Sequence, residues 1–79
     1  MKLIFNCSDI NSVKLTEPTI VSAKVISLEI IFFNRRDFLY IKDVSKISCE
    51  DYWIEKVRTA YNDIKNALQS NNKFVEIEL

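Results

Sequence analysis

In the second half of the chain, hydrophobic residues recur at helical spacing. Trp53, Ile54, Val57, Ala60, Tyr61, Ile64, Ala67 and Leu68 fall at intervals of three and four, an arc of roughly 140° on a helical wheel that must be buried against something. Asp51, Glu55, Arg58, Thr59, Asn62 and Asn66 fill the opposite side. Ser48 stands where a hydroxyl oxygen accepts from first-turn amides, and Asp51, three residues on, stands where the reciprocal capping carboxylate belongs. Gln69-Ser70-Asn71-Asn72 supplies the stop, with Asn taking the left-handed position usually given to Gly. The spacing predicts a helix over residues 49–70.

Earlier in the chain the period changes. Thr19 to Phe33 is dominated by Ile, Val and Phe with polar residues interleaved, a strand texture. Val21, Val25 and Leu28 also fit helical spacing, which leaves 19–25 open between the two. Asn34-Arg35-Arg36-Asp37 is a polar interruption rich in turn formers, and Phe38-Leu39-Tyr40-Ile41-Lys42 follows it, so the pattern predicts a β-hairpin. Closing the hairpin on Phe33 opposite Phe38 pairs Phe32 with Leu39, Ile31 with Tyr40, Ile30 with Ile41, and Glu29 with Lys42. Alternation then sorts the faces. Ile26, Leu28, Ile30, Phe32, Leu39 and Ile41 seat the helix, while Ser27, Glu29, Lys42, Ile31, Tyr40, Phe33 and Phe38 point away from it.

Two flanking segments are expected to complete the sheet. Lys2–Asn6 is one, and Phe74–Glu78 is the other, with Val75, Ile77 and Leu79 turned toward the helix. Residues 7–18 are either a loop with a short turn of helix or an extra strand at Val13–Leu15, closed by Pro18. The fold class expected is α+β, over residues 1–79 as a single domain. It has an antiparallel-rich sheet of three to five strands, one long helix in the C-terminal half packed on one face, and a C-terminal strand.

Composition narrows the chemistry. Among 79 residues there is no Gly, and both the phosphate-cradling loop and the dinucleotide-binding turn need backbone that only Gly permits. There is no His either, which removes the usual base of a Ser or Cys nucleophile and the side chain that titrates near neutrality. Cys7 and Cys49 are too few for a protein-only zinc site. Cys49 at the helix start would gain thiolate character from the amide dipoles, but without a neighbouring base an inert thiol is expected. Asp51 and Glu55 share a helix face near Glu50 and Asp63, a spacing commonplace on solvated helices. The expectation is therefore a non-enzyme with no cofactor and no metal.

Charge and hydropathy restrict partners in the same way. Eleven basic and eleven acidic side chains give a net charge of zero, so no long-range field draws in nucleic acid or an anionic membrane. Met1 to Phe5 is stopped by Asn6 and is too short for a signal peptide. No run of about 18 apolar residues is present to span a bilayer. A cytoplasmic location with reduced thiols is expected.

What remains is the hairpin. Ile31, Phe33, Phe38 and Tyr40 gather on the face that one helix cannot cover, beside Arg35 and Arg36. Aromatic residues with Arg are what interfaces are enriched in, and contiguous exposed apolar surface marks contact sites. Tyr52, on the polar side of the helix with Lys56 and Asp63, is a second candidate contact, whereas Trp53 belongs to the core stripe. The expected function is occupancy: a small protein-binding domain that inhibits or antagonises another macromolecule, as an immunity protein, antitoxin or phage anti-defence protein does. Two alternatives use the same patch, single-stranded nucleic-acid binding by aromatic stacking and a structural homo-oligomer, for which a homodimer is the simplest form. Glu29, Glu76 and Glu78 make a poor electrostatic groove, so nucleic acid is the less expected partner.

Overall fold

The periodic stretch folds as its spacing predicts. A computed structural model of the chain describes residues 2–17, 25–43 and 50–79, the side chains of 50–53 excepted. Helix α1 spans Glu50–Gln69. Val57, Ala60, Ile64 and Ala67 are buried along its inner face, with Ile54, Tyr61 and Leu68 packed at the margins of the same cluster. Its C-terminus is closed as the Asn-rich stop implies. Asn71 is left-handed with φ of 55°, the Asn72 amide donates to the Ala67 carbonyl at 3.0 Å, and the Asn71 amide donates to the Leu68 carbonyl at 3.4 Å. This is a Schellman closure, which satisfies carbonyls that the helix end would otherwise leave without donors. The Ser48 cap, Cys49, and the side chains of Tyr52 and Trp53 lie outside the described residues, as do 18–24 and 44–47.

Among the described residues five strands accompany the helix: β1 (Lys2–Asn6), β2 (Ile10–Thr16), β3 (Val25–Phe32), β4 (Arg36–Asp43) and β5 (Phe74–Glu78). All pairings are antiparallel. They divide between two sheets, β1-β5 and β2-β3-β4, rather than completing one. The division occurs at Cys7–Asp9, one turn of 3-10 helix that ends β1 and redirects the chain into β2. Cys7 is buried at that corner, and its amide donates to the Lys73 carbonyl at 2.9 Å, carrying the β1–β5 ladder one step further. Residues 7–18 thus contain both features expected as alternatives, a short helical turn and a strand longer than Val13–Leu15.

One core joins the sheets to the helix. Ile10, Ile26, Leu28, Ile30 and Phe32 from the three-stranded sheet meet Val75 and Ile77 from β5 beneath the α1 stripe. Opposite strands place Val13 beside Ile30 and Leu15 beside Leu28, and Leu3 beside Ile77 and Phe5 beside Val75. Each sheet therefore offers α1 the apolar face that alternation predicts. Arg58 on the outer side of α1 bonds Glu17, just beyond β2, and also Glu55 at 3.0 Å. Its pKa is raised, first by the hydrogen bond to Glu17 and then by that to Glu55.

The hairpin departs from the expected register. Its loop is Phe33–Arg35, three residues, closed by the Phe32 amide donating to the Arg35 carbonyl at 2.8 Å. Ile31 therefore faces Arg36, Ile30 faces Asp37 and Glu29 faces Phe38. A bulge follows: Tyr40 faces Leu28, Ile41 faces Ser27, Lys42 faces Ile26 and Asp43 faces Val25, which leaves Leu39 with no opposite residue. Packing supplies the reason. Phe38-Leu39-Tyr40-Ile41 is an unbroken apolar run, and strict alternation would put only one of the neighbours Leu39 and Tyr40 on the core side. With the bulge, Leu39 and Tyr40 both pack against the core, while Phe38 and Ile41 face outward at 56% and 58% exposure. Ile41, expected in the core, is on the outer face, and Tyr40, expected outside with Ile31, is half-buried inside. Lys42 lies across from Ile26, so the expected Glu29–Lys42 pairing does not form.

Candidate functional site

The outer face of β2-β3-β4 takes shape from this register. Ser12, Lys14 and Thr16 of β2 stand beside Ile31, Glu29 and Ser27 of β3, which in turn stand beside Arg36, Phe38 and Ile41 of β4. Ser27 is buried, Glu29 and Ile31 are half-buried, and Phe38 and Ile41 project. Phe33, expected opposite Phe38, instead occupies the loop, where it is 73% exposed. Its amide donates to the Asp9 carbonyl at 3.3 Å, so the loop is tied back to the corner between the sheets.

The two arginines are not equivalent. The Arg35 guanidinium lies 4.2 Å from the centroid of the Phe32 ring and forms an ion pair with Asp37 across the turn. Phe32 in turn meets Phe5 of β1, ring centroids 6.0 Å apart and planes tilted by 54°. Arg35 thus ends a stack that runs from the two-stranded sheet to the hairpin tip, a contact typically worth ~0.5–1 kcal/mol at an exposed site. Arg36 is exposed on the outer face beside Ile31 and Phe38. Between corner and tip, Ser8, Asp9, Phe32, Phe33, Asn34 and Arg35 line an open concavity of about 380 Å³.

The structure therefore gathers Ile31, Arg36, Phe38 and Ile41 on the outer face as exposed or half-exposed groups, sets Phe33 in the loop beside the corner concavity, turns Arg35 back onto Phe32, and draws Tyr40 toward the core. Sequence reasoning missed Ile41. Alternation alone cannot assign faces inside an unbroken apolar run, and no Gly or Pro marks the bulge at Leu39. A larger concavity of about 470 Å³ lies beneath the α1 C-terminus, between Cys7, Leu68, Lys73 and Phe74, but it gathers no acid-base pair. Among the described residues no three His, Cys, Asp or Glu side chains gather where they could hold a metal ion, and no helix is long and apolar enough to cross a membrane. No family model, curated protein or solved structure matches the chain.

Proposed function

We propose that this protein acts by binding another protein through the outer side of the β3–β4 hairpin, inhibiting its partner by occupancy rather than by catalysis. The observation that carries the reading is the exposure of Phe38 and Ile41 on the outer face and of Phe33 at the tip of the same hairpin, with Arg36 beside Phe38. Large apolar side chains grouped in this way are what a partner's pocket takes up, and the neighbouring Arg supplies a directional polar contact. The engagement of Arg35 with Asp37 and Phe32 favours this reading over single-stranded nucleic acid, because it draws one of the two hairpin guanidiniums away from a phosphate.

The experiment is capture from an extract of the native cell with immobilised wild type, Phe33→Asp, Phe38→Asp and, as a control, Glu78→Lys on β5. A partner retained by wild type and Glu78→Lys but lost by both Asp variants supports the surface. Retention by all four places the contact elsewhere. Circular dichroism on each variant separates loss of binding from loss of fold.

A further inference from the structure

β4 is the edge strand of the three-stranded sheet, and none of the described strands pairs with its outer side. Natural edges are commonly guarded by charges and bulges that discourage further pairing. The charges here have a different consequence. Read in order, Arg36-Asp37-Phe38-Leu39-Tyr40-Ile41-Lys42-Asp43 is cation, anion, four apolar residues, cation, anion. Reversed, the same strand reads anion, cation, four apolar residues, anion, cation. Laid antiparallel on a second copy, Arg36 meets Asp43, Asp37 meets Lys42, Phe38 meets Ile41, and every charge has its opposite.

The bulge makes this register geometrically coherent. In a regular strand, residues separated by an odd number of positions point to opposite faces, so Arg36 and Asp43, or Phe38 and Ile41, could not meet on one side. The unpaired Leu39 shifts the alternation by one. Arg36, Phe38, Ile41 and Asp43 then share the outer face, opposite Ile31, Glu29, Ser27 and Val25, while Asp37 and Lys42 share the inner face opposite Ile30 and Ile26. Each matched pair therefore lies on a common face. Parallel pairing in register would set Arg36 against Arg36 and Asp43 against Asp43. Sliding the antiparallel register by two residues sets Arg36 against Ile41, or Phe38 against Asp43.

From this we infer that the partner fitted to the β4 edge is a second copy of the same chain. The copies pair β4 to β4 antiparallel about a two-fold axis near Leu39 and Tyr40, forming a continuous six-stranded sheet. The contact is isologous, so each residue pairing occurs twice. It places Phe38 of each copy beside Ile41 of the other, so that these four side chains form one apolar patch across the junction of the two outer faces. The inference rests on the β4 edge and stands whether or not the outer face engages a foreign protein.

The test is mass by sedimentation over a concentration series reaching about 1 mM, since an edge contact is small and weak association is expected. Wild type should pass from monomer to dimer. Arg36→Asp and Asp43→Arg each place like charges opposite one another at two symmetric positions, and each should weaken dimerisation by about tenfold or more. Combining both substitutions in one chain reverses every Arg36–Asp43 pair and should restore the dimer. Mixing the two single variants should give a heterodimer, because one strand then offers two acids and the other two arginines. A wild type that stays monomeric, single variants that dimerise as wild type does, or a double variant that fails to recover would each overturn the register. The mixing experiment excludes misfolding as the cause of any loss.

Discussion

The bulge at Leu39 assigns opposite fates to two isoleucines whose sequence surroundings look alike, and truncation tells them apart. Ile30 is fully buried under α1, whereas Ile41 is 58% exposed on the outer face. Ile30→Ala leaves a cavity in a packed core, which costs about 2–5 kcal/mol. Ile41 removes only about two-fifths of its surface from water. Since full burial of such a side chain is worth about 1.5–3 kcal/mol, Ile41→Ala should cost about 1 kcal/mol. Had the hairpin closed on Phe33 opposite Phe38, Ile41 would stand beside Ile30 beneath the helix and both truncations would cost the larger sum. Urea denaturation followed by circular dichroism decides between them. It is run at a few micromolar protein so that association adds nothing to stability. With a slope of ~1 kcal/mol per molar urea for a chain this small, the Ile41 variant should lose about 1 M from its midpoint and the Ile30 variant at least twice that. Equal losses would refute the bulged register and the outer placement of Ile41 with it.

Other expectations follow from the helix. Asn71 holds φ of 55°, so Asn71→Gly should leave stability unchanged or raise it by up to about 1 kcal/mol, while a branched side chain in Asn71→Val should cost about 1–2 kcal/mol. Thermal melts of the two variants check the ordering, and a Val variant as stable as the Gly variant would contradict the left-handed closure. The Arg58–Glu17 bond carries a pH signature. Because the Arg58 pKa is raised, its contribution is complete below arginine's ordinary value and disappears only as pH climbs through the raised one. The Tm difference between wild type and Glu17→Gln should therefore stay constant from neutrality to about pH 10. A difference that fades within the lysine range would show that another group holds Glu17.

The helix and the faces of β3 and β5 were readable because one physical rule governs each of them. Val57, Ala60, Ile64 and Ala67 are buried at the spacing that an α-helix imposes, and Val75 and Ile77 at the spacing of a strand. A left-handed Asn cap within Gln69–Asn72 was readable because the chain has no Gly to take its place, and the structure assigns it to Asn71. The hairpin was less legible. Asn34 to Asp37 looks like the turn, yet the loop begins at Phe33, an apolar residue that pattern reading assigns to the strand. Once the loop moved, every pair in the register moved with it, and the bulge then exchanged the faces of Tyr40 and Ile41. The division into two sheets leaves no mark in the pattern for a related reason. The corner at Cys7–Asp9 is a single tight turn, with no Gly or Pro to announce it. Of the candidate site, Phe33, Phe38 and Arg36 were legible as exposed groups, whereas the inward turn of Arg35 depends on Phe32 and Asp37 being brought beside it by the turn itself.

The pairing of β1 with β5 has a consequence in time rather than in space. Lys2 lies opposite Glu78 and Leu3 opposite Ile77, so this ladder can form only when distant parts of the chain have met. The β3–β4 hairpin, by contrast, closes across three residues. Loop-closure entropy rises with the length enclosed, and contacts of large sequence separation slow folding. The hairpin and α1 should therefore organise first, and the two-stranded sheet should dock last and detach first. Truncating Leu3 would then hasten unfolding while barely slowing refolding, and truncating Ile30 would slow refolding as well. In kinetic terms the molecule is held shut by a clasp made from its own first and last strands.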